Sequence, residues 1–212
     1  MENTGQYRFI LRRINSPKLI FIMQNSSYAD DIQNNGDQTI PNCIKISQGI
    51  YNDQTKKHEK FNGIEVANLF PYKSSDGKTA LSNFIGSSDY EKAQEANYLI
   101  LKQIINEIDE NNDRIVITWG KEGQESCKLL KEKFLKIITD SKKEFPFYEL
   151  GIKDMQKIID YDDKSEEELN EIANPSYPRH PMPSAWCKFG GIENATLKPM
   201  NPERKIEIIG AE

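Results

Sequence analysis

Between Lys18 and Gln24 the chain reads KLIFIMQ, an unbroken apolar run of strand length that gives way at once to Asn25, Ser26 and Ser27. A run without polar alternation is what a strand buried on both faces requires, and such strands belong to sheets covered by helices on either side. Three further segments share the form: GIEVANLFPY (63 to 72), begun by Gly63 and stopped by Pro71; RIVITWG (114 to 120), ended by a glycine; and PFYELG (146 to 151), with its own terminal glycine. Helical patterns separate them. Ser88-Asp89-Tyr90-Glu91 has the form of a capping box, and Ala93, Ala96, Ile100, Leu101, Ile104, Ile105 and Ile108 recur at helical spacing until Asn111-Asn112. A second helix is predicted from Glu122 to Thr139, with Cys127, Leu130, Phe134, Ile137 and Ile138 on one face. CIKIS (43 to 47) suits a short helix, QNNGDQ (33 to 38) a loop, and KIEII near the C terminus a last strand. Strands alternating with helices predict an α/β sandwich with a mainly parallel sheet.

In such a sheet ligands sit beyond the carboxyl ends of the strands. Asn25, Asn68 to Tyr72 and Trp119-Gly120 all fall there. Asn25 and Asn68 carry amides that donate and accept together, as reading the edge of a nucleobase requires. Tyr28, Phe70 and Tyr72 lie close by in sequence and offer rings that could stack on a flat heterocycle. A second candidate element is NPSYPRHPMPSAW (174 to 186), where four prolines stiffen the backbone around His180 and reduce the entropy lost in fixing one imidazole.

Length and charge narrow the classes. At 212 residues, one domain is expected. No apolar run approaches the roughly 20 residues of a membrane span, and the N-terminal MENTGQYRFILRR lacks the pattern of a signal peptide, so a cytoplasmic protein is expected. The net charge of -5 is concentrated: residues 160 to 171 hold seven acids against one lysine, a net -6, which leaves the remainder at about +1. The stretch 160 to 174 reads as an acidic insertion, a solvated helix or mobile segment. No broad basic face supports a tight nonspecific grip on duplex DNA. Cys43, Cys127 and Cys187 are widely spaced and odd in number, so they are expected to be ordinary thiols. With only His58 and His180 as imidazoles, no metal is predicted. No phosphate-cradling glycine motif signals a nucleoside triphosphate or dinucleotide, so no cofactor is expected. Ser26 and Ser27 lack the flanking glycines of a nucleophile elbow.

Taken in order, YRFILRRI (7 to 14), FIMQNSSYAD (21 to 30), DQTIPNC (37 to 43), VANLFPYKSSD (66 to 76), ITWGKEG (117 to 123), the ELG of the fourth strand and YPRHP (177 to 181) resemble an uncharacterised bacterial and phage family, a domain of unknown function. Its first motif usually reads like LNPSTAD; this chain has Ser26 in place of the proline. More distantly the same order is similar to the uracil-DNA glycosylase superfamily. That resemblance implies a three-layer α/β/α sandwich with a four-stranded parallel sheet. It would put Asn25 where a water-orienting Asn or Asp stands, Asn68 where an asparagine reads the base, His180 near the base carbonyl oxygen, and Tyr28 near the aromatic that shapes the pocket. The expected function is recognition of a modified nucleobase in nucleic acid or nucleotide, with cleavage of its N-glycosidic bond. The alternatives are a nucleotide-binding module without turnover and an interaction protein acting through the acidic insertion.

Overall fold

The computed structural model describes residues 7–8, 10–13, 15–25, 38–74, 76–144, 146–182 and 186–209. In chain order the elements are β1 (Ile10–Arg13), β2 (Lys18–Met23), α1 (Thr39–Gln48), β3 (Ile50–Asn52), β4 (Lys57–Glu59), β5 (Gly63–Asn68), α2 (Gly77–Ile85), α3 (Tyr90–Glu107), β6 (Arg114–Ile117), α4 (Gly120–Ser126), α5 (Lys128–Ser141), β7 (Phe147–Ile152), α6 (Glu166–Ala173), β8 (Ala195–Pro199) and α7 (Pro202–Ile209). Single turns of 3-10 helix fill out the segments on either side of α6 and before β8.

The four apolar runs form strands that pair in parallel, in the order β5-β2-β6-β7. They are only the middle of the sheet. Among the described residues the sheet has eight strands, ordered β1-β5-β2-β6-β7-β8-β3-β4. It is mixed, because β1 joins β5, β8 joins β7 and β4 joins β3 antiparallel. It is also strongly curled, a half-barrel within an α/β molecule. The predicted three-layer α/β/α sandwich with a mainly parallel four-stranded sheet is therefore corrected. The physical reason is that the four added strands are short and carry no apolar run: ILRR, IYN, KHE and ATLKP gain their pairing from neighbours rather than from their own pattern. Twist accumulated over eight strands then bends the sheet.

Alternation along the strands gives each face its own core. Ile20, Ile22, Ala67, Ile115, Ile117 and Phe147 meet α2, α3, α5 and α7 on one face. Leu19, Phe21, Val66, Val116, Tyr148 and Leu150 meet α1 and the segment around Trp186 on the other, with Leu169 and Ile172 of α6 packed against it. A charge lies between strands as well: Glu65, buried on β5, faces Arg12 of β1 across the antiparallel pair and bonds Lys18 Nζ at 2.9 Å.

Three local expectations change. The helix predicted from Glu122 to Thr139 is two helices with Cys127 between them. KIEII is helical: Asn201 Oδ1 accepts from Arg204 N at 2.7 Å, and Pro202 occupies the first helical position, where its missing N–H costs nothing. The Ser88 to Glu91 pattern does not cap α3, which starts at Tyr90 without a side-chain cap; Asp89 instead accepts from the Tyr7 hydroxyl. A capping box does form, at Ser165 and Glu168 on α6. No helix among the described residues is long and apolar enough to cross a membrane.

Cys43 and Cys127 are buried thiols and Cys187 is exposed. Burial pushes the Cys127 thiol up from 9.0 to about 12, against the opposing charge of Lys131. Because the fold disfavours the thiolate, that share of stability is complete below pH 9 and is lost as pH rises toward the folded value. Between pH 9 and 11 the urea-derived stability is expected to fall by roughly 2 to 3 kcal/mol more in the native protein than in Cys127→Ala. Parallel pH profiles would contradict this.

Candidate functional site at the carboxyl edge of the sheet

The parallel strands end side by side, and their chains stay bonded beyond the strands proper. Leu69 N donates to Met23 O at 2.8 Å, Phe70 N to Gln24 O at 3.2 Å, and Thr118 N to Ile22 O at 2.8 Å. Asn25, Asn68 and Gly120 thus lie along one edge of the sheet, at the ends of β2, β5 and β6. Amides from α3 cover this edge: Gln94 Nε2 donates to Leu69 O at 3.2 Å, and Asn97 Nδ2 to Asn68 O at 3.0 Å and Leu69 O at 3.1 Å. Without them the last carbonyls of β5 would be buried away from water.

His180 reaches the same edge from a distant part of the chain. Gly120 takes φ +71°, a left-handed conformation that favours glycine, and a Cβ there would stand 3.4 Å from His180 Cβ. The tight turn after β6 therefore lets the histidine loop come close. Five bonds hold that loop. Arg179 donates through Nη1 to Leu150 O on β7 at 3.0 Å and through Nη2 to Ile172 O on α6. Asn42 Nδ2 on α1 donates to Pro181 O at 2.7 Å. Trp186 Nε1 donates to His180 O at 3.0 Å. Met182 N donates to His180 Nδ1 at 3.1 Å. The last bond makes Nδ1 the acceptor, so in the neutral ring the proton is on Nε2.

His180 lines a cavity of about 680 Å³. Its walls include Gly120 and Lys121 after β6, Glu171 of α6, Tyr177 of the proline-rich loop, and Lys188. Burial lowers the Arg179 guanidinium from 12.5 to about 10, and Glu149 opposes that shift. It remains charged at neutral pH. Glu149 itself bonds Arg204 Nη2 at 2.8 Å, and the same nitrogen donates to Pro175 O at 2.6 Å. The loop from Pro175 to Arg179 is thus gripped by an arginine at each end.

The residues predicted from sequence fare differently. His180 is on the cavity wall. Asn25, half-buried, donates through Nδ2 to Ser74 O at 3.1 Å. Asn68 is 1% exposed. Both share the edge with His180, and neither is among the described residues lining the cavity. Phe70 is fully buried, its ring stacked on Phe84 at 5.6 Å and 13°, so it is a core residue and presents no face to a ligand. Tyr72 packs edge-on against Tyr7, and Trp119 is buried with Nε1 donating to Gln124 Oε1. Tyr28, with Ser26 and Ser27, lies outside the described residues. Sequence reasoning missed Arg179, Glu171, Lys121 and Lys188. Arg179 was visible in YPRHP, next to the histidine that drew attention.

The sequence pattern that defines one protein family, described as a protein of unknown function (DUF1643), matches residues 8–182. The chain belongs to the DUF1643 family. The resemblance to a domain of unknown function is met on these residues; a bacterial or phage origin and a likeness to uracil-DNA glycosylases are not part of what that match shows. No curated protein and no solved structure matches this DUF1643 chain.

Replacing Arg179 by Met leaves the buried Leu150 carbonyl and the part-buried Ile172 carbonyl without their donor. The expected cost is about 2 to 4 kcal/mol in urea unfolding, since hydrogen bonds to charged groups are each worth about 1.5 to 3 kcal/mol. A loss below about 1 kcal/mol would show that the loop is held without it.

Proposed function

We propose that this protein recognises a nucleobase in the cavity beside His180 and hydrolyses its N-glycosidic bond. The observation that carries the reading is the bond from Met182 N to His180 Nδ1, which fixes the imidazole as an Nε2–H donor on the cavity wall. In the reaction a water oxygen bonds to the sugar's anomeric carbon while the carbon–nitrogen bond breaks. The electron pair leaves with the base and spreads onto its carbonyl oxygen. A preset donor at that oxygen stabilises the departing charge by about 2.7 to 4 kcal/mol. Glu171, a carboxylate on the same wall, takes the proton released by the water. The Tyr177 ring offers a flat apolar surface for the base. Asn25, tied to Ser74, belongs to the neighbouring strand end.

A second reading, binding without turnover, is favoured by one observation: at position 25 stands an amide, which can orient a water but cannot remove its proton. Both readings meet in one experiment. The protein is incubated with nucleosides, nucleotides and oligonucleotides bearing varied bases, and free base is separated by chromatography. Release that drops by a factor of about 100 or more in His180→Ala is expected, in line with the loss of one such donor. Binding with no release from any substrate would replace hydrolysis by the second reading, and release untouched by His180→Ala would remove the histidine from the mechanism.

A further inference from the structure

The cavity beside His180 carries charge in an unusual distribution, and this bears on the size of what enters. Lys121 and Lys188, both exposed to solvent, line the cavity. Lys121 Nζ has an exposed partner, Glu125 at 3.8 Å, in a helical pair that is worth little. Lys188 Nζ lies 5.2 Å from the centre of the Phe189 ring. Arg179, the other cation there, is buried and spent on two carbonyls. The wall that contributes Glu171 is α6, whose sequence EEELNEIA holds four acids and no base. It is preceded by the turn Tyr161–Asp163 with Asp162 and Asp163. The acidic insertion is therefore not remote from the candidate site: it borders it, anchored by Ile172 O on Arg179 and by its apolar face on the core.

Resting on the reading just given, we propose that the substrate is a free nucleoside monophosphate, and that the acidic border excludes nucleic-acid polymers. One phosphate is matched by Lys121 and Lys188. A polymer adds further phosphates at about 3.4 Å of rise per nucleotide along a stacked strand. Those next in line would come within a Debye length, about 8 Å at physiological salt, of α6 and its preceding turn. Like charges juxtaposed across an interface act against the wrong partner, and they act more strongly on a ligand that carries more phosphates past them. The insertion thus selects size through charge.

The test is calorimetry at low salt with four ligand sets: nucleosides, their 5′-monophosphates, single-stranded 12-mers of the same bases, and the monophosphates again at 0.5 M salt. Monophosphates are expected to bind at least about tenfold more tightly than nucleosides and than 12-mers, with the first advantage lost in Lys121→Gln/Lys188→Gln and at high salt. In the fourfold variant Asp162→Asn, Asp163→Asn, Glu166→Gln, Glu167→Gln, which spares the capping Glu168 and the cavity residue Glu171, the 12-mers should close to within about threefold of the monophosphates. An unchanged unfolding curve for that variant confirms an intact fold. Binding of 12-mers as tight as that of monophosphates overturns the proposal, as does a gap that survives neutralisation or an advantage over nucleosides that survives loss of both lysines. If 12-mers also release base in a His180-dependent way while monophosphates do not bind, this inference falls and the nucleobase reading stands. If no ligand binds, both fall.

Discussion

One buried guanidinium holds the candidate site together. Arg179 ties the end of β7, through Leu150 O, to the last turn of α6, through Ile172 O, and it does so one residue before His180. A charge in that position is costly to desolvate, and its lowered proton affinity expresses the cost. The compensation is collective. Glu149 on β7 attracts it and also grips Arg204 of α7, which donates to Pro175 O as well. Helix α7, the strand beneath and both ends of the proline-rich loop therefore form one ionic ladder. Removing a rung would leave a buried charge or carbonyl unmatched, a larger penalty than the rung's own net contribution.

The sheet supplies the other half of the arrangement. Four parallel strands bring their carboxyl ends to a common edge, which is where loops can present polar groups without breaking the ladder. Gly120, in a left-handed turn, gives the histidine loop room to approach. The antiparallel strand β8 continues the sheet past β7, so the curl carries the polar loop and α6 around one side of the cavity. The acidic helix is held in this place by Leu169 and Ile172 on its inner side, and it presents Glu171 to the cavity.

Much of the centre was legible in the sequence and much of the periphery was not. KLIFIM and RIVI announce themselves by their apolar runs, and GIEVAN and FYELG by short apolar-rich stretches, each interrupted by one buried glutamate, Glu65 and Glu149. Helix α3 is legible from its repeat of Ala and Ile. IYN and KHE cannot be read this way: three residues carry no period, and their hairpin is set by Asn52 Oδ1 accepting from Gln54 N. KIEII misled because β-branched residues near a terminus suggest a strand, while the Asn201-Pro202 start signal carried more weight. At the site, the prolines around His180 gave a true signal of rigidity. Phe70 did not become a platform because Phe84 covers its face. Glu171 was hidden inside a charge run whose commonest meaning is solvation.

The central claim is that His180 is a fixed donor, its Nδ1 occupied by Met182 N–H and its proton on Nε2. Long-range proton–nitrogen NMR on the ring-labelled protein, recorded where the imidazole is neutral, tests this directly. The expected result is a protonated Nε2 and an unprotonated, hydrogen-bonded Nδ1, held through a nucleotide titration. Protonation at Nδ1, or two nitrogens averaged to the same shift, would contradict it.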